Sequence, residues 1–145
     1  MIHSSCAIEK DKAHIFAGQS GAGKSTAAKL SYPRHLLSDE ATLVKITSNK
    51  VTVYNSPFRS ELQADSFEGN VELASVQILY QALQNKSNRS TKSDAFFHLM
   101  DKVFFWPQCE EETKAIMRLM TQLVKNVPVY ELHFQKNNTF WELIS

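Results

Sequence analysis

A short glycine-rich stretch near the start of the sequence carries the residue types that bind phosphate. It reads GQSGAGKST, and residues 18–25 match the pattern G-x-x-x-x-G-K-[S/T]. A loop of this kind wraps backbone N–H groups around phosphate oxygens, and its glycines keep side chains away where the chain curls closest. Lys24 would reach the β- and γ-phosphates of a nucleotide, and the Ser25 hydroxyl would bind Mg²⁺. The pattern therefore predicts a site for a nucleoside triphosphate.

The residues predicted to bind the nucleotide are consecutive. They are Gly18, Gln19, Ser20, Gly21, Ala22, Gly23, Lys24, Ser25 and Thr26. The apolar run AHIFA precedes them, and the run KSTAAKL, rich in helix formers, follows. A strand, the loop and a helix in this order form the context that the motif requires, and the helix would turn its positive end toward the anion.

Two adjacent acidic residues offer the carboxylate that phosphoryl transfer requires. Asp39 and Glu40 end the short apolar segment HLLSDE. A strand beside the one that feeds the loop would bring Asp39 next to Ser25, where it would hold Mg²⁺ and accept a proton from the attacking hydroxyl. Glu40 would point to the opposite side of an extended chain unless the strand has already turned, and it is a further candidate ligand for the metal. The alternative is a solvated Asp-Glu pair that opens a turn.

Two basic residues are further candidates for contact with phosphate. His3 could stabilise charge beside the γ-phosphate, act as a donor to the transferred phosphate, or be an ordinary packed or exposed residue of a strand. Arg59, in the segment SPFRSE, could clamp a phosphate through two N–H groups or lie in a surface turn after Pro57. The remaining histidines show no metal-ligand spacing and are interpreted as structural: His14, His35, His98 and His133.

Hydrophobic patterning predicts the elements that position these residues. Residues 2–8 and 13–17 predict a hairpin, the helix after the loop ends before Pro33, and residues 35–40 form a short strand. Residues 43–47 and 51–54 predict a second hairpin. Residues 73–79 favour a strand but allow a helix, and residues 84–94 predict an exposed loop. Ser93 and Asp94 could cap one helix, and a second runs from Glu110 to about Lys125. VYELHF predicts a strand, and NNTFWELIS a short terminal helix.

Length and composition restrict the class of protein. The 145 residues allow one domain, residues 1–145, and the hydrophobic content of 43% is ordinary for a soluble globular protein. The net charge of +1 and the scattered basic residues predict neither a nucleic-acid partner nor an anionic membrane partner. No apolar run approaches the roughly 20 residues that a bilayer crossing needs. The start of the chain lacks a secretory signal, and isolated Cys6 and Cys109 predict reduced thiols in a cytoplasmic protein.

His3, the GQSGAGKST loop and the LLSDE segment together resemble the HPr kinase/phosphorylase family. They also resemble its relatives, the HPr-kinase-like proteins and the ATP-dependent phosphoenolpyruvate carboxykinases. HPr kinases have a histidine on the strand ahead of the loop and an Asp-Asp pair at a strand end, where this chain has Asp39 and Glu40. The tail NVPVYELHFQKNNTFWELI resembles the end of small HPr-kinase-like proteins. The resemblance implies an α/β fold of this type: a P-loop domain with a mixed β-sheet and helices on its faces.

The same resemblance implies an ATP- and Mg²⁺-dependent phosphotransferase in which Asp39, Lys24 and His3 are catalytic. The phospho-acceptor would be a hydroxyl group of a protein, a peptide or a small molecule. HPr kinases are commonly hexameric, which leaves a homo-oligomer open. The chain departs from the family at Ser4, which replaces the glycine after the histidine, and at Glu40, which replaces the second aspartate. The later Arg-Gly-rich signature is missing.

Two alternatives to a kinase of this type remain open. One is a regulatory module that binds ATP without turnover, which Glu40 and the missing signature favour. The other is a small-metabolite kinase, because some of these enzymes begin with the same G-x-S-G-x-G-K-S-T loop. Such kinases carry an arginine-rich lid beyond the middle of the chain. Here the arginines of that region are isolated: Arg59, Arg89 and Arg118.

Overall fold

The fold comes from a computed structural model, which describes residues 1–59 and 67–144. Within these ranges the chain forms eight strands, four α-helices and one 3₁₀ turn. Their order is β1 (Ile2–Glu9), β2 (Lys12–Ala17), α1 (Lys24–Leu30), β3 (Leu36–Ser38), β4 (Ala41–Ile46), β5 (Val51–Tyr54), β6 (Asn70–Gln81), β7 (Lys86–Arg89), α2 (Lys92–Met100), α3 (Glu110–Asn126), β8 (Val129–Phe134), the 3₁₀ turn (Asn138–Phe140) and α4 (Trp141–Ile144).

The strands join into a sheet that closes on itself. Strand β1 pairs antiparallel with β2 and with β4, β4 pairs with β5, and β5 pairs with β6. Strand β6 then pairs in parallel with β2, and this contact closes the ring. Beyond the ring, β8 pairs with β6, β7 pairs with β8, and β3 pairs with β1. The result is a small barrel-like domain with a mixed sheet and a few helices.

The predicted fold, an α/β P-loop domain of the HPr kinase and phosphoenolpyruvate carboxykinase type, is therefore wrong. Among the described strands, only the β2–β6 and β6–β8 pairings are parallel, and the other pairings are antiparallel. Alternating apolar residues identify a strand but do not identify its neighbours, so an open sheet and a closed ring give similar sequence patterns. The prediction had the element types without the pairing that decides the architecture.

Several local predictions are confirmed. The first hairpin is β1 and β2, and its turn places Lys10 and Asp11 at φ values of 48° and 61°. Positive φ at both central residues is what a tight two-residue hairpin turn requires. The second hairpin is β4 and β5, and the predicted acidic helix is α3. The ambiguous segment around residues 73–79 is a strand, within β6.

Other local predictions need correction. The segment at residues 84–94 is not a loop throughout, because it contains β7 and the start of α2. Thr91, rather than Ser93 or Asp94, caps α2, and its hydroxyl oxygen accepts a hydrogen bond from the Asp94 N–H at 3.2 Å. The terminal helix is divided into the 3₁₀ turn and α4, and Ser145 lies outside the described residues. None of the helices in the described ranges combines the length and apolar character that a bilayer crossing demands.

Two apolar clusters fix the strand that leads into the glycine-rich loop. On one face of β2, Ala13 and Ile15 belong to a cluster that includes residues of α2 and α3. On its other face, Phe16 packs in a second cluster with residues of α1 and with Phe140 and Trp141. Because β2 is buried on both faces and paired on both edges, its end is a rigid support for the loop that follows.

Candidate functional site

Strand β2 and helix α1 hold the glycine-rich loop between them. Strand β2 ends at Ala17 and α1 begins at Lys24, so the loop comprises residues 18–23. The local strand–loop–helix arrangement is thus present, although the fold around it differs from the predicted one. Helix α1 has only seven residues. We therefore consider the loop N–H groups and the Lys24 ammonium, rather than a helix dipole, as the groups that attract an anion.

Two glycines of the loop are required by the backbone and by packing. Gly21 and Gly23 have φ values of 81° and 105°, a region that side chains disfavour. A Cβ atom on Gly23 would also lie 2.8 Å from Cζ of Phe134. At Gly21 nothing lies within 4 Å of the corresponding position. The curl of the loop explains both glycines, and only Gly23 is in addition pressed against the protein interior.

Lys24 folds back over the loop that precedes it. Its Nζ donates hydrogen bonds to the carbonyl oxygens of Gly18 at 2.9 Å and Gln19 at 3.0 Å. Burial lowers the pKa of the Lys24 ammonium; the Glu40 carboxylate opposes this effect and the Lys102 ammonium adds to it. The Lys24 ammonium is therefore held at the loop by neutral acceptors, which a phosphate could replace with stronger charge-assisted bonds.

The loop also presents backbone donors. The Ala22 N–H donates to the carbonyl of Gln19 at 3.0 Å, which tightens the turn. Within the described ranges, the N–H groups of Ser20, Gly21 and Gly23 meet no backbone carbonyl. Such N–H groups on a curled backbone form the concave donor set that binds anions.

A cavity of about 350 Å³ opens over the second half of the loop, and we call it the Lys24 cavity. Its lining comes from the loop, the start of α1, β1, the residue before β4, and β6: His3, Ser20, Gly21, Gly23, Lys24, Ser25, Thr26, Glu40 and Gln81. It brings residues of the predicted nucleotide-binding segment, Lys24 and Ser25 among them, together with two predicted residues from distant parts of the chain, His3 and Glu40. A cation, a hydroxyl, a carboxylate and an imidazole thus surround one space.

His3 and Glu40 meet because β1 and β4 are paired. His3 lies opposite Ala41 in the register of the two strands, and Glu40 directly precedes β4. The His3 Nε2 and Glu40 Oε1 atoms are 3.6 Å apart, and both side chains are partly exposed. The imidazole ring also stacks on Phe104, with the ring centroids 5.7 Å apart. The Glu40 carboxylate is therefore accessible and has a neighbour that can orient it.

Asp39 lies in a different environment from Glu40. It is only 2% exposed, and it is not among the residues that line the Lys24 cavity. The two acids are not part of an extended segment: both lie in a bend between β3, which ends at Ser38, and β4, which begins at Ala41. The sequence could not tell which of the two side chains is turned inward. The carboxylate at the cavity is that of Glu40.

Arg59 takes part in a structural contact away from the loop. Its Nη2 donates hydrogen bonds to the carbonyl oxygen of Leu36 at 2.9 Å and to Oδ1 of Asn55 at 2.6 Å. It lines neither of the cavities that border the glycine-rich loop. The structure thus does not bring Arg59 together with Lys24, whereas it does bring Glu40 and His3 there.

A second cavity of about 380 Å³ borders the other side of the loop, and we call it the Lys102 cavity. Its walls are loop residues, the end of β6, and residues at the end of α2 and just after it: Gly18, Gln19, Ser20, Gly21, Ala22, Ile78, Leu79, Tyr80, Gln81, His98, Asp101 and Lys102. Sequence analysis missed His98, Asp101 and Lys102, because no motif places the end of α2 beside the loop. Only the fold brings them there.

A separate polar cluster is buried beneath the terminal helix. His14 Nδ1 lies 2.8 Å from Oγ of Ser75, and Nε2 of Gln77 donates to the same oxygen at 2.9 Å. Burial lowers the pKa of His14 to about 4, so the ring is neutral at pH 7. Trp141 covers the ring edge to face. Because these polar groups are shielded from solvent, this cluster stabilises the interior and is not a candidate active site.

The oxygen ligands that line the Lys24 cavity are too few to bind Mg²⁺ alone and suit the metal when phosphates supply further ligands. Among the residues that the structure describes, no group of three or more His, Cys, Asp or Glu side chains could hold a metal ion. The Ser25 hydroxyl and the Glu40 carboxylate, however, line the same cavity. Mg²⁺ is usually bound by one or two protein groups together with phosphates and water. The donor set therefore suits a metal–nucleotide complex.

Comparison with known proteins gives a family. Residues 1–145 match the family described as SynChlorMet cassette protein ScmC. Because the match covers the whole chain, the protein belongs to the ScmC family. No curated protein matched the sequence. The assignment to the HPr kinase/phosphorylase family is therefore wrong: besides His3 and the tail, its sharp features were the loop and the acidic pair, which are local, whereas the ScmC match extends along the entire sequence.

Proposed function

We propose that this ScmC family protein is an ATP- and Mg²⁺-dependent phosphotransferase that transfers the γ-phosphate to a hydroxyl group. The observation that carries the proposal is the Lys24 cavity, which Lys24 and Ser25 line together with His3 and Glu40. Phosphoryl transfer requires little more than a positioned phosphate, positive charge around it, and a group that receives the proton. The proposal depends on this local geometry and on neither the overall fold nor the family match.

Each residue of the cavity has a role in the proposal. The loop N–H groups and Lys24 bind the phosphates, and Lys24 exchanges its bonds to the Gly18 and Gln19 carbonyls for bonds to phosphate oxygens. The Ser25 hydroxyl would hold Mg²⁺, which on binding would neutralise charge on the phosphates. Thr26 completes the nucleotide-binding segment. All these residues lie on one continuous stretch that β2 and α1 hold at both ends.

Proton transfer is assigned to Glu40. The acceptor oxygen forms a bond to the γ-phosphorus, the bond from that phosphorus to the bridging oxygen breaks, and ADP leaves. The proton of the acceptor hydroxyl passes to the Glu40 carboxylate, which lines the cavity and is 47% exposed. His3 orients that carboxylate through their contact. The sequence favoured Asp39 for this role, but a side chain that is 2% exposed is poorly placed to meet a substrate.

One observation favours a second candidate function, an ATP-binding module without turnover. With Asp39 outside the lining, the Lys24 cavity contains one carboxylate where the predicted mechanism used two. The loop would bind a nucleotide equally well in either case. A cytoplasmic location belongs to both candidates, because ATP is abundant there. The free thiols of Cys6 and Cys109 support it.

The nucleotide site is tested by a calorimetric titration with ATP and Mg²⁺. Replacing Lys24 with Met removes a charged hydrogen-bonding group worth roughly 1.5–3 kcal/mol, so the Kd for ATP is expected to rise about 10- to 150-fold. Lys114→Met is the matched control, because Lys114 is exposed and pairs with Glu110 on its own helix. An equal Kd for wild type and the Lys24 variant would contradict the proposal.

Turnover separates the two candidates. The phosphotransferase predicts slow ADP formation by the wild-type protein, followed by phosphorus NMR, with water or an added hydroxyl compound as acceptor. Glu40→Gln is expected to bind ATP with a Kd within about threefold of wild type while ADP formation is lost, because the amide cannot accept the proton. Tight binding without any ADP in wild type, with protein, peptide and small-molecule acceptors, would leave the binding module as the function.

A further inference from the structure

We propose that the terminal phosphate of a bound nucleoside triphosphate lies where the Lys24 cavity meets the Lys102 cavity, and that Lys102 is the second cation that contacts it. This inference rests on the proposed function, because it assumes that the glycine-rich loop binds the nucleotide. It adds Lys102, which no sequence motif indicates, to the nucleotide-binding residues. It also states the direction in which the triphosphate would run along the loop. The terminal phosphate would extend across the loop and lie between Lys24 on one side and Lys102 on the other.

The two cavities border the same loop residues. The Lys24 cavity and the Lys102 cavity share Ser20, Gly21 and Gln81 as lining residues. Gln81 Nε2 donates a hydrogen bond to the carbonyl of Gly21 at 2.9 Å, which fixes the loop where the cavities meet. Five consecutive loop residues form one wall of the Lys102 cavity, and the end of α2 forms another. A phosphate chain bound along the loop can therefore reach both spaces.

Lys102 is a buried cation with an incomplete charge balance. Its side chain is only 7% exposed, and its Nζ lies 2.6 Å from Oδ1 of Asp101. Asp101 itself is 61% exposed, so solvent screens its charge. A buried ammonium is costly unless it is paired and hydrogen-bonded. Among the described residues Asp101 is the one acid recorded against the Lys102 ammonium, and an oxyanion in the cavity would supply a second partner.

The backbone holds Lys102 in place. Its N–H donates to the carbonyl of Leu99 at 3.0 Å at the end of α2, and its own carbonyl accepts from the His3 N–H at 2.7 Å. His3 belongs to the Lys24 cavity, so this hydrogen bond ties the two sites together. A cation fixed in this way needs no large rearrangement to contact a ligand.

The electrostatic surroundings support an anion at this point. Lys102 adds to burial in lowering the pKa of Lys24, so the two ammonium groups are close enough to repel each other. A phosphate between them would relieve that repulsion. The other ionisable groups nearby make two contacts: Asp101 Oδ1 lies 2.6 Å from Lys102 Nζ, and His98 Nε2 lies 3.4 Å from Oε1 of Glu131. Lys24 and Lys102 thus each line a cavity that borders the loop.

The test compares ATP with ADP, each with Mg²⁺, by calorimetry. Lys102→Met keeps an unbranched apolar side chain, one atom shorter, and removes the charge. It is expected to weaken ATP binding at least about tenfold and ADP binding less than about threefold, because ADP lacks the terminal phosphate. Lys102→Arg is expected to retain the preference for ATP. Asp101→Asn is expected to change affinity in the opposite direction, tightening ATP binding, because it removes a competing negative charge. Lys114→Met serves again as the control.

The outcomes distinguish this inference from the proposed function. If wild type binds no ATP, or Lys24→Met binds it unchanged, the nucleotide site fails and this inference fails with it. If Lys24→Met loses affinity but Lys102→Met weakens ATP and ADP equally or leaves both unchanged, only the role of Lys102 is overturned. If Lys102→Met is not folded, as judged by the loss of cooperative unfolding, Lys102→Arg and Asp101→Asn decide the test. An ATP/ADP ratio unchanged in Asp101→Asn, or a preference lost in Lys102→Arg, overturns the inference.

Discussion

The Lys24 cavity and the buried cluster of His14, Ser75 and Gln77 both involve the β1–β2 hairpin, and each contains one of its histidines. His3 is partly exposed, stacks on Phe104 and lies 3.6 Å from Glu40. His14 is 6% exposed and hydrogen-bonds to Ser75. His3 thus lies at a cavity that a ligand can enter, whereas His14 lies in the protein interior. Their surroundings, rather than their chemistry, separate the two.

The difference shows what makes a polar group available for chemistry. In the buried cluster each hydrogen bond goes to a protein partner, and burial holds His14 neutral. At the Lys24 cavity the groups keep weak or exposed partners, so a ligand can compete for them. The adjacent acids show the same contrast, since Asp39 is buried and Glu40 lines the cavity. Availability of a group therefore depends on what covers it.

The cover of the buried cluster can be removed by Trp141→Ala, which is expected to give the largest effect. Trp141 is 3% exposed, packs edge to face on His14 and Phe16, and donates from Nε1 to Oγ of Ser31 at 3.2 Å. Loss of such a side chain lowers the free energy of unfolding by about 3–5 kcal/mol, measured by urea denaturation. Trp106→Ala is the control, because Trp106 is 75% exposed and should change it by less than about 0.5 kcal/mol. Equal effects would contradict the assigned burial.

The support of the glycine-rich loop is tested by Gly23→Ala. The Cβ atom of the alanine would lie 2.8 Å from Cζ of Phe134, and the residue would keep the backbone φ of 105°. Strain and overpacking together should lower the free energy of unfolding by about 2–4 kcal/mol. Gly21→Ala is the matched control, since the position is open and should lose only about 1–2 kcal/mol for the positive φ. If urea denaturation shows the two variants equally stable, the contact with Phe134 does not constrain the loop.

The two histidines predict different responses to acid. Burial lowers the pKa of His14 from 6.5 to about 4, so the unfolded chain binds protons more readily between these values. Neutral His14 makes its whole contribution to the free energy of unfolding above about pH 6.5. This contribution falls by about 2–3 kcal/mol as the pH drops to 4. His14→Gln should lose this part of the pH dependence, and His3→Gln should retain it. Urea denaturation between pH 7 and pH 4 measures both, and parallel curves for wild type and His14→Gln would contradict the pKa shift.

Local features were predictable from the sequence. The hairpins, α3, the glycine-rich loop and the placement of Lys24 and Ser25 follow from residues close together along the chain, whose periodicity and spacing are visible directly. Asp39 and Glu40 were recognised as a pair of candidate acids, although the chain bends at these two residues. Which of them is buried depends on the pairing of β1 with β4, a contact between distant segments.

The features that were missed arise from long-range contacts. The pairing of β2 with β6 makes a ring where an open sheet was expected. Lys102 reaches the loop because its carbonyl accepts a hydrogen bond from His3, about a hundred residues earlier. No periodicity records such a contact. A short motif therefore indicated the glycine-rich loop, but it could not supply the family, the fold or the position of Lys102.

The parallel seam between β2 and β6 has a consequence for how the chain folds. Ala13 pairs with Leu73 there, whereas the β1–β2 and β4–β5 hairpins join near neighbours. Hairpins form within microseconds, but closing a long stretch of chain costs entropy before any contact repays it. We expect the seam to form late and to limit the refolding rate. Since β2 leads directly into the glycine-rich loop, newly made protein would acquire its anion-binding geometry only at that last, slow step.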